Sequence, residues 1–158
     1  KAVSEYTANL CANVIGQYIY SSILKLSKNE LKKWFKQQRY YYSSLINNLK
    51  KELLLTIPGI IVSNPESAIY LVLDFKKITD DNFEITKFIE YCATFGKCLI
   101  DNKAYTLLLA PMTGFYSDNN CGRTQARIAI VESEENLKKV PKILSKLMKD
   151  YSNYNKAN

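Results

Sequence analysis

The sequence contains no histidine, which removes the side chain that most often acts as a general base at neutral pH and ligates zinc. Its four cysteines, Cys11, Cys92, Cys98 and Cys121, are scattered without the paired spacing of a metal site. We interpret them as small apolar side chains in a reducing compartment, which favours the cytoplasm. We therefore expect no metal site and no catalytic triad.

Long apolar runs are also missing. Hydrophobic residues make up 47% of the 158 residues, but no run reaches the roughly 20 residues that a membrane-spanning helix needs. The first residues, 1–5, lack the charged-then-apolar pattern of a signal segment. We expect a soluble domain that is long enough to bury a core. Because no initiator methionine opens the sequence, we also expect it to be a piece of a longer protein.

Positive charge is concentrated in one stretch. The net charge is +7, and residues 25–52 hold eight bases against only two acids, Glu30 and Glu52. Such a stretch is typical of a basic interaction module for nucleic acid or for an acidic partner. The alternative is a solvated helix face in a lysine-rich protein. We favour that interpretation, so we do not expect nucleic-acid binding.

Two helices are predicted at the start of the chain. Adjacent apolar rows at helical spacing predict the first over residues 4–26. A capping box, Ser27 with Glu30, opens the second, and Pro58 stops it. The apolar row of the second helix consists of Leu31, Trp34, Phe35, Tyr42, Leu45, Leu49 and Leu53. We expect a helical arm over residues 1–57 whose apolar face packs against another surface.

The pattern changes beyond the arm. Short β-branched and aromatic runs predict strands over residues 59–63, 68–75, 106–110 and 127–131. Thr79 is the expected cap of a helix that ends near Gly96, and Ser133 is the expected cap of the last helix. Pro141 predicts that this last helix either bends or starts later.

This order of elements predicts the fold class. Two helices, two strands, a helix, two strands and a helix do not alternate as in a parallel α/β protein. We therefore predict an α+β fold in which residues 58–158 form a small mixed or antiparallel sheet of about four strands, with helices packed on one face.

Four segments carry a resemblance to a known family. They read LCANVIGQY (10–18), PESAIY (65–70), LAPMTGFY (109–116) and GRTQARIA (122–129). In this order they resemble the C-terminal small domain of the aspartate aminotransferase family, fold type I of the pyridoxal-phosphate-dependent enzymes. Two residues depart from the family pattern: Ser67 stands where relatives usually have glycine, and Ile15 replaces a frequent proline.

The last two segments contain the candidate site residues. Arg127 opens an apolar stretch, and its planar fork of donors suits a carboxylate. On residue type alone, an exposed arginine in a weak salt bridge is the ordinary interpretation. The resemblance implies instead that Arg127 binds the α-carboxylate of the amino-acid substrate. It also implies that Gly114 and Phe115 belong to a loop lining the substrate pocket, where glycine allows a sharp turn. We interpret Arg123 as solvated surface.

The resemblance also implies what this chain lacks. The Schiff-base lysine and the groups that hold pyridoxal 5'-phosphate belong to a large domain expected before Lys1, so we assign no catalytic residue here. The parent would be a transaminase that moves an amino group from an amino acid to a 2-oxo acid, as a cytoplasmic homodimer. We expect this fragment alone to be inactive and to hold no cofactor. A non-catalytic relative stays open as an alternative, as does the basic interaction module.

Overall fold

The structure, a computed structural model, describes residues 13–118 and 121–157, with side chains as far as residue 155. Internal contacts divide the chain into two compact units, one ending at Tyr40 and the other beginning at Tyr41. No helix in these described ranges is long and apolar enough to cross a bilayer.

The first unit consists of helices. Helix α1 spans Val14–Ser21, a 3-10 turn follows over Ser22–Lys25, and α2 begins at Lys28 and ends at Thr56 in the second unit. The predicted capping box is confirmed, because the Ser27 amide donates to Glu30 at 2.7 Å and the Glu30 amide donates to the Ser27 hydroxyl at 3.2 Å. The predicted first helix is shorter in the described part, and its residues 4–12 lie outside the described residues.

Apolar side chains of this first unit are exposed. Val14 and Tyr18 are each 77% exposed, and Trp34 and Phe35 are each 53% exposed. The expectation that the apolar face of the arm packs against another surface stays a prediction. On α2 the buried residues begin at Leu45, and Trp34 and Phe35 precede them.

The second unit holds the core. From Leu45 onward the predicted row of α2 is confirmed, since Leu45, Leu49 and Leu53 are buried and Tyr42 packs against the same cluster. The neighbouring Tyr40 and Tyr41 are exposed.

A small antiparallel sheet forms the centre of this unit, as the fold prediction required. Its strands are β1 (Ile61–Val62), β2 (Tyr70–Asp74), β5 (Ala110–Pro111) and β6 (Gln125–Ala129), in the order β1-β2-β6-β5. Every neighbouring pair is antiparallel. The strand predicted over 106–110 is wrong except at Ala110, because residues 106–109 are irregular.

A hairpin that we did not predict precedes these irregular residues. It pairs β3 (Cys98–Ile100) with β4 (Lys103–Tyr105). Asp101 and Asn102 form its two-residue loop, with φ of 50° and 60°. Positive φ at both central positions is the signature of the tight turn that matches the twist of a hairpin.

Helix α3 spans Ile85–Thr94, so the predicted start at Thr79 is wrong. The Thr79 hydroxyl donates back to the Phe75 carbonyl at 2.9 Å, so this side chain belongs to the turn that follows β2. The Asp80 carboxylate accepts from the Asn82 amide at 3.1 Å, and this local bond favours a turn over a helix.

The last helical region begins at Ser133, as predicted, but it is split. Helix α4 (Glu134–Leu137) is short, and the Ser133 side chain caps it by accepting from the Asn136 amide. Helix α5 spans Val140–Ala157, so Pro141 lies in the first turn of α5. Its missing N–H costs nothing there. The later start expected from Pro141 is confirmed.

The two faces of the sheet differ in character. Leu71, Leu73, Ala126 and Ile128 point inward and are buried, together with side chains of α3 and α5. Side chains alternate between faces along a strand, so the intervening residues lie on the opposite face. These are Tyr70, Val72 and Asp74 on β2 and Gln125, Arg127 and Ala129 on β6. The second face carries the candidate site.

Candidate carboxylate site

Arg127 lies at the centre of β6, rather than at the start of a strand as the sequence suggested. Its guanidinium carbon lies over the Tyr70 ring, 4.4 Å from the ring centre, and over the Phe115 ring, at 4.7 Å. Tyr70 pairs with Ala129, two residues from Arg127 on the same face, which places the tyrosine diagonally across the two strands. Phe115 comes from the 3-10 turn Thr113–Phe115. The structure thus brings together two of the predicted site residues, Arg127 and Phe115.

The charge of Arg127 is not neutralised within the described part of the chain. Its side chain is half-buried. The ion pairs among described residues involve other cations, such as Arg123, whose guanidinium nitrogen lies 3.7 Å from Glu84. A partly desolvated guanidinium held by two aromatic rings and lacking a carboxylate partner is suited to bind an anion. Arg123 is exposed, which agrees with its interpretation as surface.

The conformation of the loop that carries Phe115 depends on a different glycine from the one we expected. Gly114 has no left-handed φ, and a Cβ there would meet no atom within 4 Å, so the predicted need for glycine at this turn is wrong. Gly122 is the glycine that the site requires. Its φ is +78°, and a Cβ would lie 2.9 Å from carbons of the Tyr116 ring.

A hydrogen-bond network adjoins the arginine on the same face of the sheet. The carboxylate of Asp74 accepts from the Thr124 hydroxyl at 2.7 Å and from the Gln125 side-chain amide at 2.9 Å. The Gln125 side-chain oxygen accepts from the Tyr116 hydroxyl at 2.6 Å. Burial raises the pKa of Asp74, but the bonds from Gln125, Thr124 and the Lys76 amide outweigh it and leave this pKa below its usual value.

Sequence reasoning missed six residues of this site, which are Tyr70, Asp74, Tyr116, Gly122, Thr124 and Gln125. Tyr70 and Gln125 stand inside the quoted segments, yet nothing local distinguishes them from neighbouring strand residues. Asp74 and Tyr116 were likewise unassigned. The available signal was the alternation along the strands, since Gln125 lies two positions from Arg127 and Asp74 ends the preceding long strand. Only the register of β2 against β6 shows that Asp74 lies directly opposite Gln125.

No protein-family model matches the chain, and no curated protein matches it. The resemblance to the aminotransferases therefore rests on the four sequence segments.

The described residues do not fit a covalent anchor for an aldehyde cofactor. A lysine in that role needs a lowered pKa, obtained by burial in an apolar pocket or beside another cation. No charged residue is buried in the described ranges, and the hydrogen bond with Asp150 raises the pKa of Lys146. Among the same residues no cluster of three metal-ligating side chains occurs.

The described cysteines differ in exposure. Cys92 and Cys98 are buried, and burial raises the pKa of Cys92 to about 12. Cys121 is exposed. A buried thiol with so high a pKa is inert as a nucleophile, in keeping with our interpretation of Cys92 as a small apolar residue.

Proposed function

We propose that this chain is the small domain of a pyridoxal-phosphate-dependent aminotransferase and that Arg127 binds the α-carboxylate of the substrate. The observation that supports the proposal most strongly is the half-buried guanidinium of Arg127, held by Tyr70 and Phe115 without a carboxylate partner in the described chain. The parent would transfer an amino group from an amino acid to a 2-oxo acid, as a homodimer in the cytoplasm.

The proposed role of this domain is to position the substrate. An arginine binds a carboxylate through two parallel hydrogen bonds, which fix both the place and the rotation of the bound group. The rings of Tyr70 and Phe115 restrict the guanidinium and shield it from water, which strengthens its electrostatic interaction. Holding a substrate in the reactive orientation supplies several kcal/mol of a reaction barrier.

Pyridoxal 5'-phosphate would supply an electron sink for the bond broken in the amino acid. In this proposal the large domain holds the cofactor. The residues described here would bind the carboxylate and orient the amino acid toward that domain, and they perform no covalent step.

Kinetics of the full-length protein test the proposal. Arg127→Lys keeps the charge but removes the planar fork, so we expect kcat/KM for the amino acid to fall roughly 10- to 100-fold, about 1.4–2.7 kcal/mol. Arg123→Lys is the matched control, because Arg123 is exposed and paired with Glu84. Equal kcat/KM values for both variants and the wild type would remove Arg127 from the site.

A second test uses the 158-residue chain by itself. Mixed with pyridoxal 5'-phosphate, it is expected to form no stoichiometric, borohydride-trappable adduct at a single lysine and to transfer no amino group. Turnover with an amino acid and a 2-oxo acid would contradict the assignment of the covalent chemistry to another domain.

A further inference from the structure

Gln125 holds the loop of Phe115 at both ends. The Gln125 backbone carbonyl accepts from the Met112 amide at 3.0 Å, where the loop begins. Its side-chain oxygen accepts from the Tyr116 hydroxyl at 2.6 Å, where the loop ends. Phe115 lies between these anchors, and its own amide donates to the Met112 carbonyl at 3.0 Å.

Asp74 sets the orientation of the Gln125 side chain. An ionised carboxylate only accepts hydrogen bonds, so the amide nitrogen of Gln125 must face Asp74, at 2.9 Å. The amide oxygen consequently faces away, toward the Tyr116 hydroxyl. The reversed amide would bring its oxygen against the carboxylate and lose the bond to Asp74. A second donor, the Thr124 hydroxyl, holds the other carboxylate oxygen at 2.7 Å.

The position of Phe115 follows from this arrangement. Tyr116 is the next residue in the chain, and its ring packs where Gly122 leaves room for it. Fixing the Tyr116 hydroxyl therefore limits the movement of Phe115, whose ring lies 4.7 Å from the Arg127 guanidinium carbon. Gln125 is two residues before Arg127 on the same strand, so one strand supports both the arginine and the loop that covers it.

We infer that Gln125 is a positioning residue of the carboxylate site, and that Asp74 orients its amide so that Tyr116 and Phe115 are held against Arg127. This inference rests on the proposed function, because it concerns the same carboxylate site. Neither Gln125 nor Asp74 needs to touch the substrate. Both act through the loop.

A double-mutant cycle on the 158-residue chain, without ligand, tests the inference. The readout is the Arg127 side-chain N–H signal in an NMR spectrum, which the neighbouring rings shift away from the position of a free arginine. Tyr116→Phe removes one hydroxyl, and we expect the Arg127 signal to move toward the free position. Asp74→Asn should move it in the same direction. In the Asp74→Asn background, Tyr116→Phe should add little, because the two residues act through one amide.

Acetate affinity, measured on the same samples, supplies the second readout. We expect roughly threefold weaker binding in either single variant and no further loss in the double variant. If Tyr116→Phe leaves the Arg127 signal unchanged, or if the two effects add, the positioning role is wrong.

The two proposals fail in different ways. If the wild type binds no acetate while the ligand-free signal responds as expected, the carboxylate proposal fails and the positioning role stands. Core methyl signals of Leu71 and Leu73, which lie on the opposite face of the sheet, report whether Asp74→Asn still folds. Should that variant unfold, Tyr116→Phe alone decides, because it removes a single oxygen from an exposed side chain.

Discussion

The guanidinium carbon of Arg127 lies 4.4 Å from the centre of the Tyr70 ring, and the pairing of two strands produces this contact. Val72 is directly opposite Arg127, and Tyr70 is opposite Ala129, so the ring reaches the arginine diagonally. One wall of the candidate site is therefore part of the sheet. The other wall, the Phe115 ring, belongs to a loop whose position depends on hydrogen bonds to Gln125.

The Tyr70 ring gives the first prediction. Tyr70→Leu removes the ring beneath the cation, a contact worth about 1 kcal/mol at a partly exposed site, so acetate should bind roughly fivefold more weakly. Tyr70→Phe keeps the ring and should bind like the wild type. NMR titration of the 158-residue chain measures both. Identical affinities for the leucine variant and the wild type would show that the ring does not support the site.

Two glycines near the site should respond differently to alanine. Gly122→Ala places a Cβ at a φ of +78° and 2.9 Å from the Tyr116 ring, so we expect a loss of about 1–2 kcal/mol in the free energy of unfolding. Gly114→Ala meets no atom within 4 Å and should be tolerated. Urea denaturation of the two variants compares them. A more damaging substitution at Gly114 would contradict the described loop.

Asp74 makes a pH-dependent contribution to stability. The pKa of Asp74 is lowered in the folded state. Its contribution to stability is therefore fully present above the unfolded-state pKa of about 3.9, and it is lost as the pH falls through the folded-state pKa. Asp74→Asn should therefore cost about 1–2 kcal/mol at pH 7, and less as pH falls below about 4. Urea denaturation across this range measures the difference. A difference that grows on acidification would contradict the assigned hydrogen bonds.

Thiol labelling tests the described cysteines. With a pKa raised to about 12 by burial, Cys92 should stay unmodified in the native chain near pH 8, whereas the exposed Cys121 should react. Mass spectrometry of the labelled peptides, with Cys121→Ser as control, identifies each site. Labelling of Cys92 before unfolding would mean that the core around α3 opens.

Local signals predicted the parts of the fold that local bonds determine. Ser27 and Glu30 form their capping box because both partners lie within one helical turn. Thr79 looked equally suitable as a cap, but the helix begins only at Ile85, and the Thr79 hydroxyl donates to the Phe75 carbonyl in the preceding turn. The hairpin had a usable signal in Asp101 and Asn102, two residue types that tolerate positive φ.

The candidate site was only partly predictable, because its members meet through strand pairing. The sequence motif singled out Arg127 and Phe115, which do lie together. It could not indicate that Tyr70, more than fifty positions earlier, covers the same cation, since that depends on the register of β2 against β6. The structural importance of Gly114 was overestimated, because a glycine beside an aromatic residue need not occupy a strained conformation.

The most direct test of the central claim is an acetate titration of the isotope-labelled 158-residue chain at constant ionic strength, with chloride as the control anion. We predict a saturable shift of the Arg127 side-chain signal with a Kd on the order of 10 mM, about −2.7 kcal/mol, as expected for hydrogen bonds between charged groups. The Arg123 signal should not follow it. An Arg127 signal that moves no more in acetate than in chloride would contradict the assignment of this arginine to a carboxylate site.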